Sequence, residues 1–288
     1  MSTPDVSINT LYNVKGKIAL VTGGSTGIGK MIASGFAQNG CKVYIASRKE
    51  DSLKEFRKAV AEIRQKATAP VEYIVANVAS KAGCDALIAE FKKRESKLHI
   101  LVNNSGVSWG GRYEDFPEEK GWDNVFAINV KSIFYMTAGL TDLLVKDSDS
   151  YDPGRVINIS STASIGPHSE HDLSAPGNGT WSYQPSKAAV NHLTSQLAVK
   201  LGPRHVTVNA ILPGVFPSRM TAFGFKQVGE EKFNSHQPTG RFGTTQDMAG
   251  LALFLVSPAS AHVTGAHIVI DGGARYESRA PASSSPKL

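Results

Sequence analysis

Apolar positions along this chain follow two spacings, one typical of buried strands and one typical of helices. Short, nearly continuous apolar runs predict seven strands, at 17–21, 41–46, 71–76, 100–102, 155–159, 205–212 and 266–270. Between them, helical spacing predicts helices after the glycine-rich turn at 22–30, and near 50–67, 81–95, 118–145, 183–201 and 245–256. Strands without polar alternation are typical of a parallel sheet covered on both faces. We therefore expect an α/β fold with one doubly wound parallel sheet of about seven strands and helices on both faces.

The length and composition favour one domain. A chain of 288 residues with 41% hydrophobic content can bury one large core, and it shows no internal repeat. We expect an N-terminal arm at 1–15, a domain at 16–274 and a polar, disordered tail at 275–288. Aromatic and polar residues mix at 216–240, which predicts a mobile lid over a substrate. The alternative for this segment is an ordinary amphipathic helix pair. Its apolar residues are Phe216, Met220, Phe223, Phe225 and Phe233.

Charge and cysteine content exclude several classes of protein. The net charge of +6 comes from basic residues mixed with acids along helices, so we expect no nucleic-acid partner, although an anionic cofactor or substrate suits this balance. No apolar run is long enough for membrane insertion. Cys41 and Cys84 imply no disulfide framework and fit a reducing interior. The terminal Pro286-Lys287-Leu288 is close to the S-K-L peroxisomal address, so we expect a peroxisomal or cytoplasmic location.

The first strand runs into a glycine-rich turn that opens a helix. Its residues Gly23, Ser25, Thr26, Gly27 and Ile28 form a candidate phosphate cradle, since glycines let the backbone approach an anion and free N–H groups bind it. Gly24 to Lys30 also nearly matches a nucleoside-triphosphate loop, but Met31 stands where a magnesium-binding Ser or Thr is needed. The strand–turn–helix context favours a dinucleotide and a Rossmann-type sheet.

The end of the second strand predicts which dinucleotide binds. An acid there would bind the 2′-hydroxyl of NAD, but none appears before Glu50. Ser47 and Arg48 instead offer donors and positive charge for a 2′-phosphate, so we predict NADP(H); the alternative is an arginine in solvent. The crevice at the strand ends adds five further cofactor-binding candidates: Asn77, Val78, Asn104, Ser105 and Gly106.

Tyr183 and Lys187 are four residues apart at the start of a predicted helix, so their side chains share one face. A nearby ammonium group favours the ionised form of a phenol, which makes this pair a candidate proton donor and acceptor. The alternative is a surface pair with no function. Ser161 follows the strand at 155–159 and flanks the same crevice. Asn129, within an apolar helix, is either a satisfied core amide or a group that orients a water.

In this order the motifs resemble the short-chain dehydrogenase/reductase family, over roughly residues 15–273. The stretch at 216–221 resembles its β-ketoacyl reductase branch, the rhamnolipid-type 3-oxoacyl reductases. The resemblance implies that Tyr183 donates a proton to a substrate carbonyl, that Ser161 hydrogen-bonds its oxygen, and that Lys187 lowers the Tyr183 pKa and binds the nicotinamide ribose. It implies that Asn129 supports a water leading to Lys187. It also places Pro213, Gly214, Val215 and Phe216 at the cofactor, and implies a homo-oligomer, a tetramer or dimer.

Three departures from the family pattern stand out. Asn77 occupies a position where Asp is common, and Ser105 one where Ala is common. Ser161 and Tyr183 are further apart than is usual, and the added, polar stretch around 166–181 should border the substrate mouth. Two histidines on this loop, His168 and His171, are more simply solvated than metal-binding, so we assign no metal.

The predicted activity is NADP(H)-dependent reduction of a ketone to a secondary alcohol, with a β-ketoacyl thioester as one candidate substrate. The alternative is a carbonyl reductase or alcohol dehydrogenase for a secondary metabolite or another small-molecule ketone. Reduction of carbon–carbon double bonds is disfavoured, because family branches with that chemistry depart from Tyr-x-x-x-Lys. A non-catalytic nucleotide-binding scaffold would not need Ser161, Tyr183, Lys187 and Asn129 together.

Overall fold

A seven-stranded parallel sheet forms the centre of the chain. The computed structural model describes residues 3–48, 53–170, 174–222, 226, 229–235 and 237–277. Its strands are β1 Ile18–Thr22, β2 Lys42–Ser47, β3 Val71–Val75, β4 Ile100–Asn103, β5 Gly154–Ile159, β6 Val206–Pro213 and β7 His267–Ile270. They lie in the order β3-β2-β1-β4-β5-β6-β7, and every neighbouring pair is parallel. The predicted doubly wound parallel sheet is confirmed.

Helices connect the strands. They are α1 Ile8–Leu11, α2 Gly27–Gln38, α3 Leu53–Arg64, α4 Lys81–Arg94, α5 Asn124–Phe126, α6 Ser132–Val145, α7 Tyr183–Leu201, α8 Glu230–Ser235 and α9 Thr245–Val256. The long helix predicted near 118–145 differs in detail, because π-helical turns at Glu118–Asp123 and Ala127–Lys131 flank α5. A π-helical turn inserts one residue into the helical repeat, and such turns are frequent at functional sites.

Alternation along the strands divides the core into two layers. In β1, Ala19 and Val21 face the layer formed with α2, α3 and α9, whereas Leu20 faces the layer formed with α4, α6 and α7. All three side chains are fully buried. Period-two alternation sends successive side chains to opposite faces of a sheet, so a strand covered on both faces is apolar throughout. Helices therefore cover both faces, as predicted.

The two ends of the described chain lie against this domain. The predicted N-terminal arm carries the short helix α1, and Val14, three residues after it, is buried. At the other end, Ala274–Tyr276 forms a 3₁₀ turn, because the Asp271 carboxylate accepts hydrogen bonds from the Gly273 and Arg275 N–H groups. Residues 275–277, assigned above to the tail, are thus ordered; the rest of that tail, including Pro286-Lys287-Leu288, lies outside the described residues. None of the described helices has both the length and the apolar character to cross a bilayer.

Candidate active site

A single cleft of about 2230 Å³ runs along the carboxyl ends of the strands. All parallel strands end at the same edge of the sheet, so the loops after them meet there. The cleft is lined by all the predicted cofactor-binding residues: Gly23, Ser25, Thr26, Gly27, Ile28, Ser47, Arg48, Asn77, Val78, Asn104, Ser105, Gly106, Tyr183, Lys187, Pro213, Gly214, Val215 and Phe216. Ser161 also lines it, whereas Asn129 lies behind the wall. The structure therefore brings together residues from 23 to 216 that are remote in sequence.

The glycine-rich turn after β1 has no room for a side chain at Gly23 or Gly29. Gly23 has a φ of +64°, and a Cβ there would lie 2.8 Å from the Asn104 amide nitrogen. A Cβ on Gly29 would lie 2.4 Å from the Gly23 carbonyl oxygen. Asn104 binds the turn directly, since its amide nitrogen donates to the Thr22 and Gly23 carbonyl oxygens at 2.9 and 3.1 Å. The turn is thus a preformed backbone surface at the start of α2, where free N–H groups favour an anion.

Thr22, which sequence reasoning did not single out, joins this turn to the loop after β4. Its hydroxyl accepts hydrogen bonds from the Asn104 and Ser105 N–H groups at 3.0 and 3.1 Å, and donates to the Val102 carbonyl oxygen at 3.3 Å. One hydroxyl therefore sets the relative position of two cofactor-binding segments. Thr22 has this role only because β1 and β4 are neighbours in the sheet, and the order of strands in a sheet cannot be read directly from the sequence.

The nucleoside-triphosphate alternative does not fit the geometry. In such a loop the lysine reaches the β- and γ-phosphates. Lys30 instead forms an ion pair with Glu62 of α3. Lys30 does not line the cleft, so the dinucleotide interpretation of the turn stands.

The end of β2 places polar groups beside the glycine-rich turn. The Ser25 and Ser47 hydroxyl oxygens lie 2.7 Å apart, and Arg48 is exposed at the same end of the cleft. At the end of β3, the Asn77 side-chain oxygen accepts a hydrogen bond from the Ala79 N–H at 3.1 Å. The Asn77 side-chain oxygen therefore uses one of its two lone pairs within its own loop, and the second lone pair is available to accept a hydrogen bond from a ligand.

Tyr183 is the first residue of α7, as predicted. Burial raises the pKa of its phenol, and a hydrogen bond with Ser161 acts in the opposite direction. Ser161 is fixed because its hydroxyl oxygen accepts from the Ala163 N–H at 3.1 Å at the start of a 3₁₀ turn. The two hydroxyl groups therefore face one another at the edge of the cleft.

Lys187 is almost completely buried, one helical turn from Tyr183. Its ammonium group donates to the Ile159 carbonyl oxygen at 2.8 Å and lies 5.6 Å from the centre of the Tyr183 ring. Burial lowers the pKa of Lys187 to about 8. Burial is the largest cause of the upward shift of the Tyr183 pKa, and the Lys187 ammonium group is engaged by a strand carbonyl, so the expected lowering of the Tyr183 pKa by Lys187 stays a prediction.

Asn129 lies in the second π-helical turn and is fully buried. Its side-chain oxygen accepts from the Val107 N–H at 2.9 Å. Its amide nitrogen donates to the Val107 carbonyl oxygen at 3.0 Å and to the Ser186 hydroxyl at 2.9 Å. The amide is therefore a satisfied core group, one of the two alternatives left open by the sequence. It connects the loop after β4 to the helix that carries Tyr183 and Lys187.

The added stretch between Ser161 and Tyr183 is anchored to the loop after β4. Gly111 and Gly179 pair through two backbone hydrogen bonds of 3.1 and 2.9 Å. The Trp181 indole N–H donates to the Gly111 carbonyl oxygen at 3.1 Å, and its ring packs edge-on against Tyr113 with centroids 5.1 Å apart. This pairing, hereafter the glycine bridge, fixes one wall of the cleft.

A second anchor holds the same stretch to α7. The buried Gln184 side chain donates to the His168 carbonyl oxygen at 2.9 Å and bonds the Thr180 hydroxyl. His168, Ser174 and Asn178 line the cleft, as expected for a loop at its mouth. His171 lies outside the described residues. The described residues hold no group of three or more His, Cys, Asp or Glu side chains that would suit a metal ion.

The predicted lid is described only in part. Phe216 lines the cleft, yet its ring is buried against Gly243, where a Cβ would lie 2.2 Å from the ring. Phe216 therefore anchors the start of the segment in the core. Thr221 supports this start by donating to the Phe216 carbonyl oxygen at 2.8 Å. Phe223 and Phe225 lie outside the described residues, as does the side chain of Phe233, so the lid stays a prediction.

Comparison with known proteins identifies the family. The family model described as enoyl-(acyl carrier protein) reductase matches residues 23–275. A relative from Diaporthe leptostromiformis, the short-chain dehydrogenase/reductase PhomF, is 32% identical over 94% of this chain and 95% of its own length. The chain belongs to the short-chain dehydrogenase/reductase family. It is therefore an oxidoreductase, and the predicted family is confirmed.

Two findings connect this short-chain dehydrogenase/reductase to the predicted branch. The rhamnolipids biosynthesis 3-oxoacyl-[acyl-carrier-protein] reductase of Pseudomonas aeruginosa is 40% identical over 91% of this chain and 97% of its own length. The solved Pseudomonas aeruginosa RhlG/NADP active-site complex matches 91% of this chain and 98% of its own, with a TM-score of 0.83 and 38% identity. The resemblance to the rhamnolipid-type reductases is thus confirmed.

Proposed function

We propose that this chain reduces a ketone to a secondary alcohol with NADPH, and that Tyr183 is the general acid. The observation that carries the proposal is the convergence of Ser161, Tyr183 and Lys187 in the cleft that also contains the glycine-rich turn. A proton donor, a donor for the developing oxyanion and a dinucleotide cradle are the three parts that carbonyl reduction needs.

The two hydroxyl groups act on the substrate oxygen. Burial raises the pKa of Tyr183, which keeps the phenol protonated and able to donate. Ser161 donates a hydrogen bond to the same oxygen as negative charge develops there. Loss of one such donor commonly costs about 100- to 1000-fold in rate.

Lys187 and Asn129 support these groups. With its pKa lowered to about 8, Lys187 remains largely protonated at neutral pH, and its charge favours the tyrosinate left after proton transfer. Asn129 holds the Val107 backbone and the Ser186 hydroxyl, so in this proposal it positions the loop and helix around the reacting groups. A role for Asn129 in supporting a water leading to Lys187 stays a prediction of the family resemblance.

The residues present fit NADP(H), the group named for the solved Pseudomonas complex. At Gly23 and Gly29 a side chain would collide with the protein's own atoms, so the turn is bare backbone there, which suits close approach of a pyrophosphate. Ser25, Ser47 and Arg48 would hold the 2′-phosphate, while Asn77 and Val78 would border the adenine. Asn104, Ser105, Gly106, Tyr183 and Lys187, together with Pro213 to Phe216, would hold the nicotinamide half. When bound, NADPH supplies the hydride for the carbonyl carbon.

For the substrate, a β-ketoacyl thioester is the first candidate, because a relative 40% identical is named as a 3-oxoacyl-[acyl-carrier-protein] reductase. The second candidate is a smaller, more polar ketone. The mouth of the cleft favours it, because His168 and Asn178 lie among the residues that line this part.

The assembly and location form part of the proposal. An apolar groove of about 370 Å³ along α6 and α7 contains Val130, Phe134, Tyr135 and Leu193, and supports a homo-oligomer formed through these helices.

The C-terminal tripeptide supports a peroxisomal address, with the cytoplasm as the alternative. Deletion of residues 286–288 should move a tagged chain from puncta to the cytosol, and an unchanged punctate pattern would reject the address.

Replacement of Tyr183 by phenylalanine tests the proposed chemistry. Tyr183→Phe removes the proton donor and keeps the ring, so turnover should fall at least 1000-fold while NADPH affinity changes less than threefold. The measurements are NADPH absorbance with ketones and β-ketoacyl thioesters, and NADPH titration by fluorescence. Turnover by the variant near the wild-type rate would reject Tyr183 as the acid.

A further inference from the structure

Gln237 is a buried polar side chain that the proposed chemistry does not use. It lies in the turn between α8 and α9, is 6% exposed, and lines the cleft. Within the part of the chain that the structure describes, its carboxamide has no hydrogen-bond partner. Three side-chain atoms among the described residues are fully shielded and lack a hydrogen-bond partner: Arg155 Nε, Asn191 Oδ1 and Thr207 Oγ1. The Gln237 carboxamide is not one of them, so it is not fully shielded. The polar end of Gln237 therefore opens into the cleft.

The backbone around Gln237 is fixed. Its N–H donates to the Asn234 carbonyl oxygen at 3.0 Å, and its carbonyl oxygen accepts from the Gly240 N–H at 2.7 Å. The turn packs on the residues after β7, where the Thr239 N–H donates to the Gly272 carbonyl oxygen at 3.3 Å. A Cβ on Gly272 would lie 3.6 Å from the Gln237 side-chain oxygen. Since the turn is held on both sides, the backbone that carries the carboxamide is fixed, and burial of the side chain restricts where its end can lie.

This place lies two strands from β5, which leads to Ser161, and four strands from β1, which leads to the phosphate end of the cleft. β7 pairs with β6, which ends at Pro213, and β6 pairs with β5, which leads to Ser161. Two strand spacings amount to roughly 10 Å, and the side chains shorten that separation. The glycine-rich turn follows β1, and Ser47 ends β2, on the far side of β4 and β5. A ligand group reaching Gln237 therefore comes from the substrate end of the cleft.

Buried amides are almost always hydrogen-bonded to protein or water. Because the Gln237 carboxamide opens into the cleft, a ligand that fills this place displaces its water and must supply a hydrogen bond, since otherwise the amide is left unpaired at a cost in free energy. We propose that Gln237 is a specificity-determining residue whose carboxamide hydrogen-bonds a second polar group of the substrate, an ester, thioester or hydroxyl oxygen other than the reacting carbonyl. The inference rests on the proposed ketone reduction and adds to it the class of substrate: ketones with a second oxygen function.

The test compares Gln237→Met with the wild-type enzyme on ketones that differ in one feature. The probes are 2-heptanone, ethyl 3-oxobutanoate, ethyl 4-oxopentanoate and ethyl 5-oxohexanoate, which place an ester at increasing distance from the ketone. Methionine keeps the length of the side chain and removes its hydrogen bonds. We expect kcat/KM to fall about 3- to 10-fold for the keto ester whose spacing fits, the effect of one neutral hydrogen bond, and to change less than twofold for 2-heptanone. Gln237→Glu, which keeps an acceptor and loses the amide donor, should not restore activity toward the keto esters, because ester oxygens only accept hydrogen bonds.

Gln184→Met provides the matched contrast. Gln184 is buried to a similar degree, but both ends of its amide are bonded within the chain, so its loss should affect all four ketones alike. Equal losses, or none, across the ketones in Gln237→Met would overturn the inference, and so would a weaker NADPH affinity in that variant. If the wild-type enzyme reduces no ketone in a wider panel including β-ketoacyl thioesters, the proposed function fails, and this inference fails with it.

Discussion

Buried amide side chains in this enzyme act according to where their partners lie. Asn103 donates to the Asn158 side-chain oxygen at 2.9 Å, and Asn158 donates to the Thr194 hydroxyl at 2.9 Å, so both stabilise the interior of the sheet. Asn129 binds backbone and hydroxyl groups and joins two loops. Gln237 has no such partner among the described residues, which leaves its hydrogen bonds to a ligand. The same functional group is structural in three cases and proposed for recognition in one.

Arg48 carries the first prediction at this scale. If its guanidinium binds the 2′-phosphate, Arg48→Ala should weaken NADPH binding about 10- to 100-fold and leave NADH binding within twofold, since a charge-assisted hydrogen bond contributes about 1.5–3 kcal/mol. Fluorescence titration with both cofactors measures the effect. Arg57→Ala is the control, because Arg57 is exposed on α3 and does not line the cleft. Equal losses for the two cofactors would contradict the assignment.

Sequence patterns located most of the candidate site at this scale and missed residues whose role depends on contacts. Ser47 and Arg48 were predictable, because their position at a strand end next to a glycine-rich turn is visible in the chain. Thr22 and Gln237 were not, since their partners come from distant segments. The upward shift of the Tyr183 pKa was not predictable, because sequence spacing shows a neighbouring charge but does not show burial.

At the scale of elements, the regular strands and helices were predictable from the sequence, whereas the irregular segments were not. The seven strands and the helices α2 and α7 follow from apolar spacing and breakers such as Gly202-Pro203. The π-helical turns around α5 were not predictable, because the second one is joined to α7 and to the loop after β4 through Asn129, and such contacts are not visible in sequence spacing. The order at 275–277 likewise depends on the Asp271 carboxylate and has no signal in a polar sequence.

Two glycine-to-alanine changes separate a turn that requires glycine from a helix that does not. A Cβ on Gly29 would lie 2.4 Å from the Gly23 carbonyl oxygen, so Gly29→Ala must displace the turn. We expect it to lower the free energy of unfolding by about 1–3 kcal/mol and to weaken NADPH binding at least 10-fold.

The control, Gly250→Ala in α9, meets no atom within 4 Å. It should raise the free energy of unfolding by about 0.5–1 kcal/mol, because alanine is the better helix former. Urea titration measures both variants. A Gly29→Ala protein with wild-type stability and NADPH affinity would show that the turn is less crowded than the structure indicates.

At the scale of the whole molecule, the two edges of the sheet differ in chemistry. The carboxyl edge forms the cleft, whereas the amino edge contains buried charged groups. Arg155 is 1% exposed and donates to the Ser257 carbonyl oxygen at 3.1 Å. Lys17 forms an ion pair with Asp152, and the His99 side-chain nitrogen Nδ1 accepts from the Ile18 N–H at 3.0 Å. Stability and catalysis therefore depend on different ends of the same strands.

His99 predicts acid sensitivity of folding. Burial and then the charges of Lys17 and Lys97 lower its pKa from 6.5 to about 4, against the opposite effect of Asp152 and Asp147. Between these pH values the unfolded chain binds a proton that the folded chain does not, so the free energy of unfolding falls as pH drops from about 6.5 to about 4. We expect a loss of roughly 1 kcal/mol between pH 7.5 and pH 5, after allowance for partial exposure.

Replacing the ring checks this assignment. His99→Asn keeps an acceptor for the Ile18 N–H and cannot titrate, so urea titrations of the variant should lose that part of the pH dependence. His262→Asn, at an exposed site, is the control. A variant with the same slope of stability against pH as the wild-type enzyme would show that other groups cause it.

The groove along α6 and α7 allows a test of the proposed homo-oligomer. Phe134 is 46% exposed within this apolar groove, so Phe134→Lys should prevent burial of the surface against a second copy. Analytical ultracentrifugation should show a mass at least halved relative to the wild-type enzyme. Tyr151→Lys, which changes an 84% exposed aromatic residue outside the groove, is the control. An unchanged mass in Phe134→Lys would place the interface elsewhere.

The glycine bridge has a consequence for how substrate preference can diversify. Its two hydrogen bonds join backbone to backbone, at Gly111 and Gly179, and require no particular side chain between residues 166 and 178. Replacement of that segment therefore leaves the glycine bridge intact, and the second anchor needs only a backbone carbonyl oxygen at the position of His168. Evolution or protein engineering is therefore free to change the sequence at the mouth of the cleft, while α7, which carries Tyr183 and Lys187, keeps its position.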